Sequence, residues 1–234
     1  MLVLALDTAT PAVTAVLAAV DGAGGDPVGG VDVLAVTRTV DGRRHGELLA
    51  PSIRDVLSRA GRAPADLTAV VAGVGPGPFT GLRVGLVTAA GLADALGIPC
   101  YGVCSLDAVA AGTGFTGAGR CLLVATDARR REVYWAVYDP AGHRVAGPGV
   151  AAPAWLAGRA GELGVEAMTG AGARQYAEVL GLPRCGPDHP DPAGLVGLAA
   201  DRVRAGAPGE VLTPLYLRRP DAALPGAPKR VTRP

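Results

Sequence analysis

Between residues 73 and 85 the chain reads Gly-Val-Gly-Pro-Gly-Pro-Phe-Thr-Gly-Leu-Arg-Val-Gly, five glycines and two prolines between a strand-like apolar run and a helix-like one. Glycine admits backbone angles and close approaches that a Cβ forbids, and proline fixes φ. Gly73, Gly75 and Gly77 with Pro76 and Pro78 therefore describe a shaped loop and not a flexible linker. Thr80 and Gly81 close the loop, with Thr80 the expected N-cap of the following helix. Such a loop holds something close against its backbone. Phosphate is a frequent guest at a helix N-terminus, but no Gly-Lys-Ser/Thr follows here, and the glycine spacing fits no dinucleotide fingerprint.

The flanking pattern sets the fold class. Residues 2–6, Ala12–Val20 and Val31–Val40 read as three strands rich in Val and Leu, separated by Thr/Pro and Gly/Asp/Pro turns. Leu48, Leu49, Ile53, Val56 and Leu57 then fall at helical spacing, and Gly61 ends that run. A strand at 70–74, a helix at 82–96 and a strand at Cys100–Val103 complete the order βββαβαβ. That order predicts a mixed α/β sheet whose later strands are parallel. Ser105 is the expected N-cap of the next helix, with Asp107 near its positive end. A glycine-rich break at 112–119 follows, and strand patterns restart at 122–127 and 132–138. We place a boundary near residue 112, giving halves at 1–111 and 112–219, the second abbreviated. Helix-like runs occupy 174–180 and 193–205, and residues 220–234 read as a flexible proline-rich tail.

Apolar residues make up 49% of the chain and aromatics 4%, so the core must be built from Ala, Val and Leu in close packing. A net charge of +1 argues against a broad cationic field for gripping nucleic acid unaided, leaving room for a local patch. The apolar N-terminus lacks a basic n-region and contains Asp7, which predicts a buried strand and not a leader. No uninterrupted apolar run approaches about 18 residues, so no membrane association and a cytoplasmic location are expected. Cys100, Cys104, Cys121 and Cys185 form neither a Cys-x-x-Cys nor a zinc pattern, which predicts reduced thiols.

Several segments together carry a resemblance: residues 2–10 (Leu-Val-Leu-Ala-Leu-Asp-Thr-Ala-Thr), 45–49 (His-Gly-Glu-Leu-Leu), the glycine loop, 97–103 (Gly-Ile-Pro-Cys-Tyr-Gly-Val) and 105–107 (Ser-Leu-Asp). Residues 127–134 (Asp-Ala-Arg-Arg-Arg-Glu-Val-Tyr) and 214–218 (Pro-Leu-Tyr-Leu-Arg) extend it over most of the chain. The sequence resembles the TsaB (YeaZ) family. The resemblance implies the actin-like ATPase (RNase H-like) fold in two related halves. It also implies a non-catalytic scaffold subunit of the bacterial machinery that places a threonylcarbamoyl group on the adenosine beside the tRNA anticodon. No cofactor is implied. The implied partners are a TsaD-like catalytic subunit, a TsaE-like ATPase subunit docked across the pair, and tRNA held mainly by the catalytic subunit.

The helix at 82–96 is apolar or small on nearly every face, so it must be covered on both sides, by the first helix or by a partner. On the resemblance, both helices bundle with those of the TsaD-like subunit, and in isolation the same face pairs two copies as a homodimer. The interface candidates are His45, Leu48, Leu49 and Ile53 on the first helix and Leu82, Arg83, Leu86, Val87 and Ala90 on the second. Actin-like ATPases clasp phosphates with two aspartate-glycine loops. Here Asp7-Thr8-Ala9 and Asp127-Ala128-Arg129 keep the aspartates but put alanine where glycine is needed. With Gly170 and Gly172 they define a degenerate nucleotide cleft. The alternative function is a weak nucleotide-binding ATPase or kinase, which requires the clasp intact.

TsaD carries a His-x-x-x-His metal pair after its Ile-Pro strand. The matching positions here are Ser105 and Val109, so no metal is expected. His45-Gly-Glu47 has no second histidine at zinc-protease spacing, and no Gly-x-Ser-x-Gly elbow is present. Three departures from the family pattern stand out: Pro78 occupies a position where relatives commonly carry serine, residues 21–32 form a long glycine-rich connection, and the tail beyond Arg219 has no reading in that pattern.

Overall fold

The computed structural model describes residues 1–20, 30–115 and 119–218. Most of the glycine-rich connection expected at 21–32, and the tail expected at 220–234, lie outside the described residues. In chain order the first elements are β1 (Leu2–Asp7), β2 (Ala12–Val20), β3 (Val31–Val40), α1 (His45–Arg59), β4 (Ala69–Gly73), α2 (Phe79–Leu96) and β5 (Cys100–Val103). Then follow α3 (Ser105–Ala111), β6 (Cys121–Asp127), β7 (Val133–Tyr138), β8 (Arg144–Ala151), α4 (Pro153–Ala157) and β9 (Val165–Thr169). The chain continues through α5 (Ala171–Gln175), α6 (Ala177–Leu180), α7 (Pro192–Gly197) and α8 (Ala200–Arg204).

β1 lies in the middle of a five-stranded sheet of order β3-β2-β1-β4-β5, antiparallel to β2 and parallel to β4. Its alternate residues serve two cores. Leu4 and Leu6 pack under α1 and α2, while Val3 and Ala5 pack under α7 and α8. A strand covered on both faces can be apolar at every position, which is why β1 reads as a continuous run. β3 lies at the sheet edge and exposes Asp32, Arg38 and Val40 in turn or in part.

The second sheet has the order β8-β7-β6-β9, with β6 antiparallel to β7 and parallel to β9. This repeats β3-β2-β1-β4 strand for strand and stops before a counterpart of β5. The doubled βββαβ unit is the two-halved α/β architecture of the actin-like fold, with the second copy abbreviated as its sequence suggests.

α3 joins the halves. Its Ala108 packs in the core of the first sheet, whereas Leu106 and Val109 pack with Leu122 and Val124 of β6. The Tyr138 hydroxyl donates to Asp107 Oδ1 at 2.7 Å, and Arg144 pairs with the same carboxylate at 3.3 Å. α7 and α8, from the far end of the chain, return to the first sheet and bury Leu195, Val196 and Val203 against it. The two packing units are therefore not two contiguous stretches of sequence. Beyond α8 the chain crosses the first sheet without regular structure, its Glu210 and Leu215 amides donating to the Cys100 and Val74 carbonyls at 2.8 Å each.

Two expected caps are corrected. α2 begins at Phe79 behind an extended Pro78, so Thr80 lies inside the helix and caps nothing with its side chain. Proline's fixed φ suits a helix entrance and brings the start forward by three residues. α3 has Cys104 at its N-cap, and the Ser105 hydroxyl is committed elsewhere. α2 closes as a sequence reader would expect, on Gly97 in the left-handed region at φ 65°. Among the described residues α2 is long and apolar enough to cross a membrane by length and composition. In the fold, its Leu82, Leu86, Ala89 and Ala93 lie in the core beneath it.

Candidate functional site

The glycine loop grips part of its own chain, the turn that follows β1. Gly73 faces the Asp7 carboxylate so closely that a Cβ there would collide with it and with Ser105 Oγ. Gly77 lies against the Ala9 backbone in the same way, and a Cβ on Gly85 would stand 2.5 Å from Thr8 Oγ1. Thr8 Oγ1 donates to the Gly81 carbonyl at 2.7 Å and accepts the Gly85 amide at 2.9 Å. Gly75 adopts φ 94°, open to glycine and unfavourable for other residues.

Asp7 sits fully buried at the centre of this knot. Its Oδ1 accepts the Ala9 amide at 3.0 Å and its Oδ2 accepts the Ser105 hydroxyl at 2.5 Å. Burial drives its pKa up to about 6, against the opposing pull of the Ser105 hydrogen bond. The carboxylate is therefore walled off from any ligand between the halves.

Asp127, at the matching end of β6, keeps the same local geometry: its Oδ1 accepts the amide two residues on, Arg129, at 2.9 Å. Its side chain nevertheless reaches the cleft between the halves and pairs with Arg129 at 3.7 Å. The hairpin beyond it holds Arg129, Arg130 and Arg131 at φ 63°, 54° and 61°, three successive non-glycine residues in the left-handed region. Each such residue costs about 1–2 kcal/mol.

The cleft itself encloses about 540 Å³. Thr8, Thr10, His45 and Thr80 line it from the first half, and Asp127, Arg129 and Tyr134 from the second. Arg43, Arg83, Arg130 and Arg218 complete a wall in which Asp127 is the one carboxylate among the described residues. Phe79 stacks on Tyr216 with centroids 4.3 Å apart, and Arg83 Nε donates to the Tyr216 hydroxyl at 2.8 Å. Arg218 forms an ion pair with Glu132 and reaches the Arg129 carbonyl, tying the chain's last described residue to the second half.

Of the nucleotide-cleft candidates, Thr8, Asp127 and Arg129 line this space, while Asp7 lies sealed beneath it. Gly170 and Gly172 do not line it. They press on the Ala125 and Thr126 backbone of β6, so their lack of a Cβ serves packing between β9, α5 and β6. Sequence reasoning missed Arg43, Tyr134 and Arg218 as members of one site. Arg218 closes the 214–218 motif, the one signal that marked it.

The partner-face candidates separate by burial. Leu49 and Leu82 are corrected: they lie in the first core, at 1% and 0% exposure, out of reach of another chain, while Leu86 packs in the same core and shows only its edge to the groove beside α2. Helical spacing placed them on the right elements but could not say which stripe turns inward. Leu48 and Ile53 are half-buried against that core. His45 is half-buried too, its Nε2 2.8 Å from the Thr10 carbonyl oxygen. Arg83, Val87 and Ala90 form the outward stripe of α2, and Val87 is 70% exposed. Beside them a groove of about 770 Å³ runs between α2 and residues 206–212, where Val211 is 91% exposed. Ser105 and Val109 are buried, and no group of three potential metal ligands occurs among the described residues.

Residues 36–222 match the family model described as TsaD, tRNA N6-adenosine threonylcarbamoyltransferase. The Escherichia coli tRNA threonylcarbamoyladenosine biosynthesis protein TsaB is 39% identical over 97 residues, which is 42% of each chain. A solved Pseudomonas aeruginosa structure, described as similar to the peptidase YeaZ, superposes with a TM-score of 0.71. It is 30% identical, and the match covers 93% of this chain and 99% of that one. The chain belongs to the TsaB (YeaZ) family. Uncharacterized mycobacterial relatives match across nearly all of it. Rv3421c of Mycobacterium tuberculosis H37Rv is 50% identical over 94% of this chain and 93% of its own length. ML0378 of Mycobacterium leprae is 49% identical over 94% of this chain, which spans only 56% of that protein. The TsaB-family segments fall where the geometry concentrates: the β1 turn, the glycine loop, the β6–β7 hairpin and Arg218.

Proposed function

We propose that this chain takes part in forming threonylcarbamoyladenosine in tRNA, as a non-catalytic subunit that binds and activates a TsaD-like catalytic subunit. The observation that carries the reading is the outward stripe of α2. Val87 stands exposed between Arg83 and Ala90, beside the small Gly91, on a helix whose inner face is already satisfied by the sheet. An exposed branched apolar residue among small neighbours permits close helix approach and suits a helix-on-helix contact. Ser105 and Val109 cannot supply the paired imidazoles expected of the catalytic relative. That supports assigning the chemistry to the partner. A TsaE-like ATPase then docks across the pair, tRNA lies mainly on the catalytic subunit, and in isolation the same stripe pairs two copies of this chain.

The test is modification of tRNA in vitro by TsaC, TsaD and TsaE with threonine, bicarbonate and ATP, with and without this chain. Modification that depends on the chain is the expected result; modification indifferent to it would overturn the reading. Val87→Glu should abolish copurification with the TsaD-like subunit while the variant remains folded, since the side chain is mostly in solvent. Undiminished copurification would remove the α2 stripe from the interface.

A further inference from the structure

We propose that residues 210–218 form a releasable strap that couples the start of α2 to the β6–β7 hairpin, so that the strained hairpin stays closed only while the strap is seated on α2. The strap works within the chain alone and does not depend on what docks on α2.

From residue 205 to Arg218 no residue is buried, and from 207 to 217 the chain has no helix or strand of its own. A segment without ladder or helix bonds is placed by its individual anchors and lies at the low-stability end of a fold. Here the anchors run across both halves. At the first end, the Glu210 amide donates to the Cys100 carbonyl, while the Glu210 carboxylate accepts the Gly102 amide at 3.1 Å and pairs with Arg202 at 2.6 Å. Leu212 then packs on the first core, and Leu215 packs with Leu106 and Leu122 where the halves meet. Tyr216 stacks on Phe79 and its hydroxyl accepts Arg83 Nε, both partners lying in the first two turns of α2.

Two residues on, Arg218 sits on the hairpin. Its guanidinium pairs with Glu132 and donates to the Arg129 carbonyl at 3.4 Å, so one planar fork spans both ends of the left-handed run 129–131. The same carbonyl accepts the Glu132 amide at 3.0 Å, the bond that closes the turn. Backbone held in a sparsely populated region persists where its surroundings over-determine it. The Asp127 carboxylate does so from one side, through the Arg129 amide, and Arg218 does so from the other.

Only Leu217 separates Tyr216 from Arg218, so the stack on α2 sets where the guanidinium can reach. α2 is itself pinned to the β1 turn by the two Thr8 bonds and serves as a fixed anchor. Release of Tyr216 frees Arg218, and the strain in the hairpin then favours opening. Seated and released states thus differ in named contacts, as a coupled element requires.

The test is amide hydrogen exchange of the full chain, read by NMR at Ala128, Arg129 and Glu132. Arg218→Ala should speed exchange at these amides by at least about tenfold, through loss of charge-assisted bonds to the turn. Tyr216→Ala should speed it by at least about fivefold, although its ring and hydroxyl are engaged on α2. Tyr216→Phe keeps the stack and drops the hydroxyl; a shift of about twofold or more in the same direction keeps the test usable should Tyr216→Ala fail to fold. Val20→Ala leaves a cavity at the far end of β2, and should lower the stability of the whole chain while hairpin exchange stays within about twofold of the parent. Acceleration by Arg218→Ala but not by either Tyr216 variant, no acceleration at all, or equal acceleration by Val20→Ala would overturn the proposal.

Discussion

Asp7 and Asp127 end equivalent strands of the two repeated units, and each accepts the amide two residues further on. Their surroundings differ completely. Around Asp7, glycines at 73, 77 and 85 let the loop and α2 close down until the carboxylate has no exposed surface. Around Asp127 the close-packed glycines, Gly170 and Gly172, press on Ala125 and Thr126 and leave the carboxylate uncovered, so the turn opens onto the arginine-lined cleft. A doubled fold provides the same strand-end turn twice, and in this chain one copy has become a packing centre while the other kept access to solvent. The contrast lies in what the neighbouring chain permits, not in the turns themselves.

The strongest way to break the contrast is to force the buried turn open. Gly73→Ala should destabilise the protein by about 3 kcal/mol or more in urea unfolding, because the added methyl meets a carboxylate that has nowhere to move. A loss under about 1 kcal/mol would show that the Asp7 knot yields easily.

A somewhat smaller magnitude attaches to the Asp7 proton. The folded chain keeps it up to about pH 6, whereas an ordinary aspartate releases it near 3.8, so between those values the native state binds more protons than the unfolded one. This contribution to stability is therefore present at low pH and fades as pH rises through about 6. Asp7→Asn should abolish the fade, so that the stability of the parent relative to the variant falls by roughly 2 kcal/mol between pH 4 and 7. Parallel pH curves would mean that Asp7 is not buried as described.

The smallest effect sharpens the open side. Arg131→Gly should raise stability by about 1 kcal/mol by relieving one left-handed residue, without altering the cleft lining, which Arg131 does not join. A destabilised variant would reveal a contact for Arg131 stronger than the strain it carries.

Much of the first half could be read from sequence because its central strands β1, β2 and β4 are covered on both faces, and the exposed edge strand β3 still carries a Val-rich run. Ala12–Val20, Val31–Val40 and Cys100–Val103 have the bounds their apolar runs announce. In the second half β8 hides behind Gly147-Pro148-Gly149, and α4 spans only five residues, so periodicity had little to act on. The return of α7 and α8 to the first sheet depends on contacts with strands far away in the sequence. No local pattern encodes that.

The site divides along the same line. Asp7, Thr8 and Asp127 were visible as strand-end residues in recognisable motifs. Arg43, Arg83 and Arg218 come together from three distant segments, and only the folded chain makes them neighbours. On α2 the sequence identified an apolar helix, but the choice between Leu86 inside and Val87 outside is set by a rotation of one residue.

The Thr8 hydroxyl, which donates to one turn of α2 and accepts from the next, acts as a rivet between helix and sheet. Sliding or rolling the helix would break both bonds at once and pull Gly85 away from the Thr8 side chain against which its bare backbone fits. The outer stripe of α2 is accordingly presented at fixed height and angle. Any protein that seats on it meets a surface already in its bound shape, and little ordering is left to oppose the association.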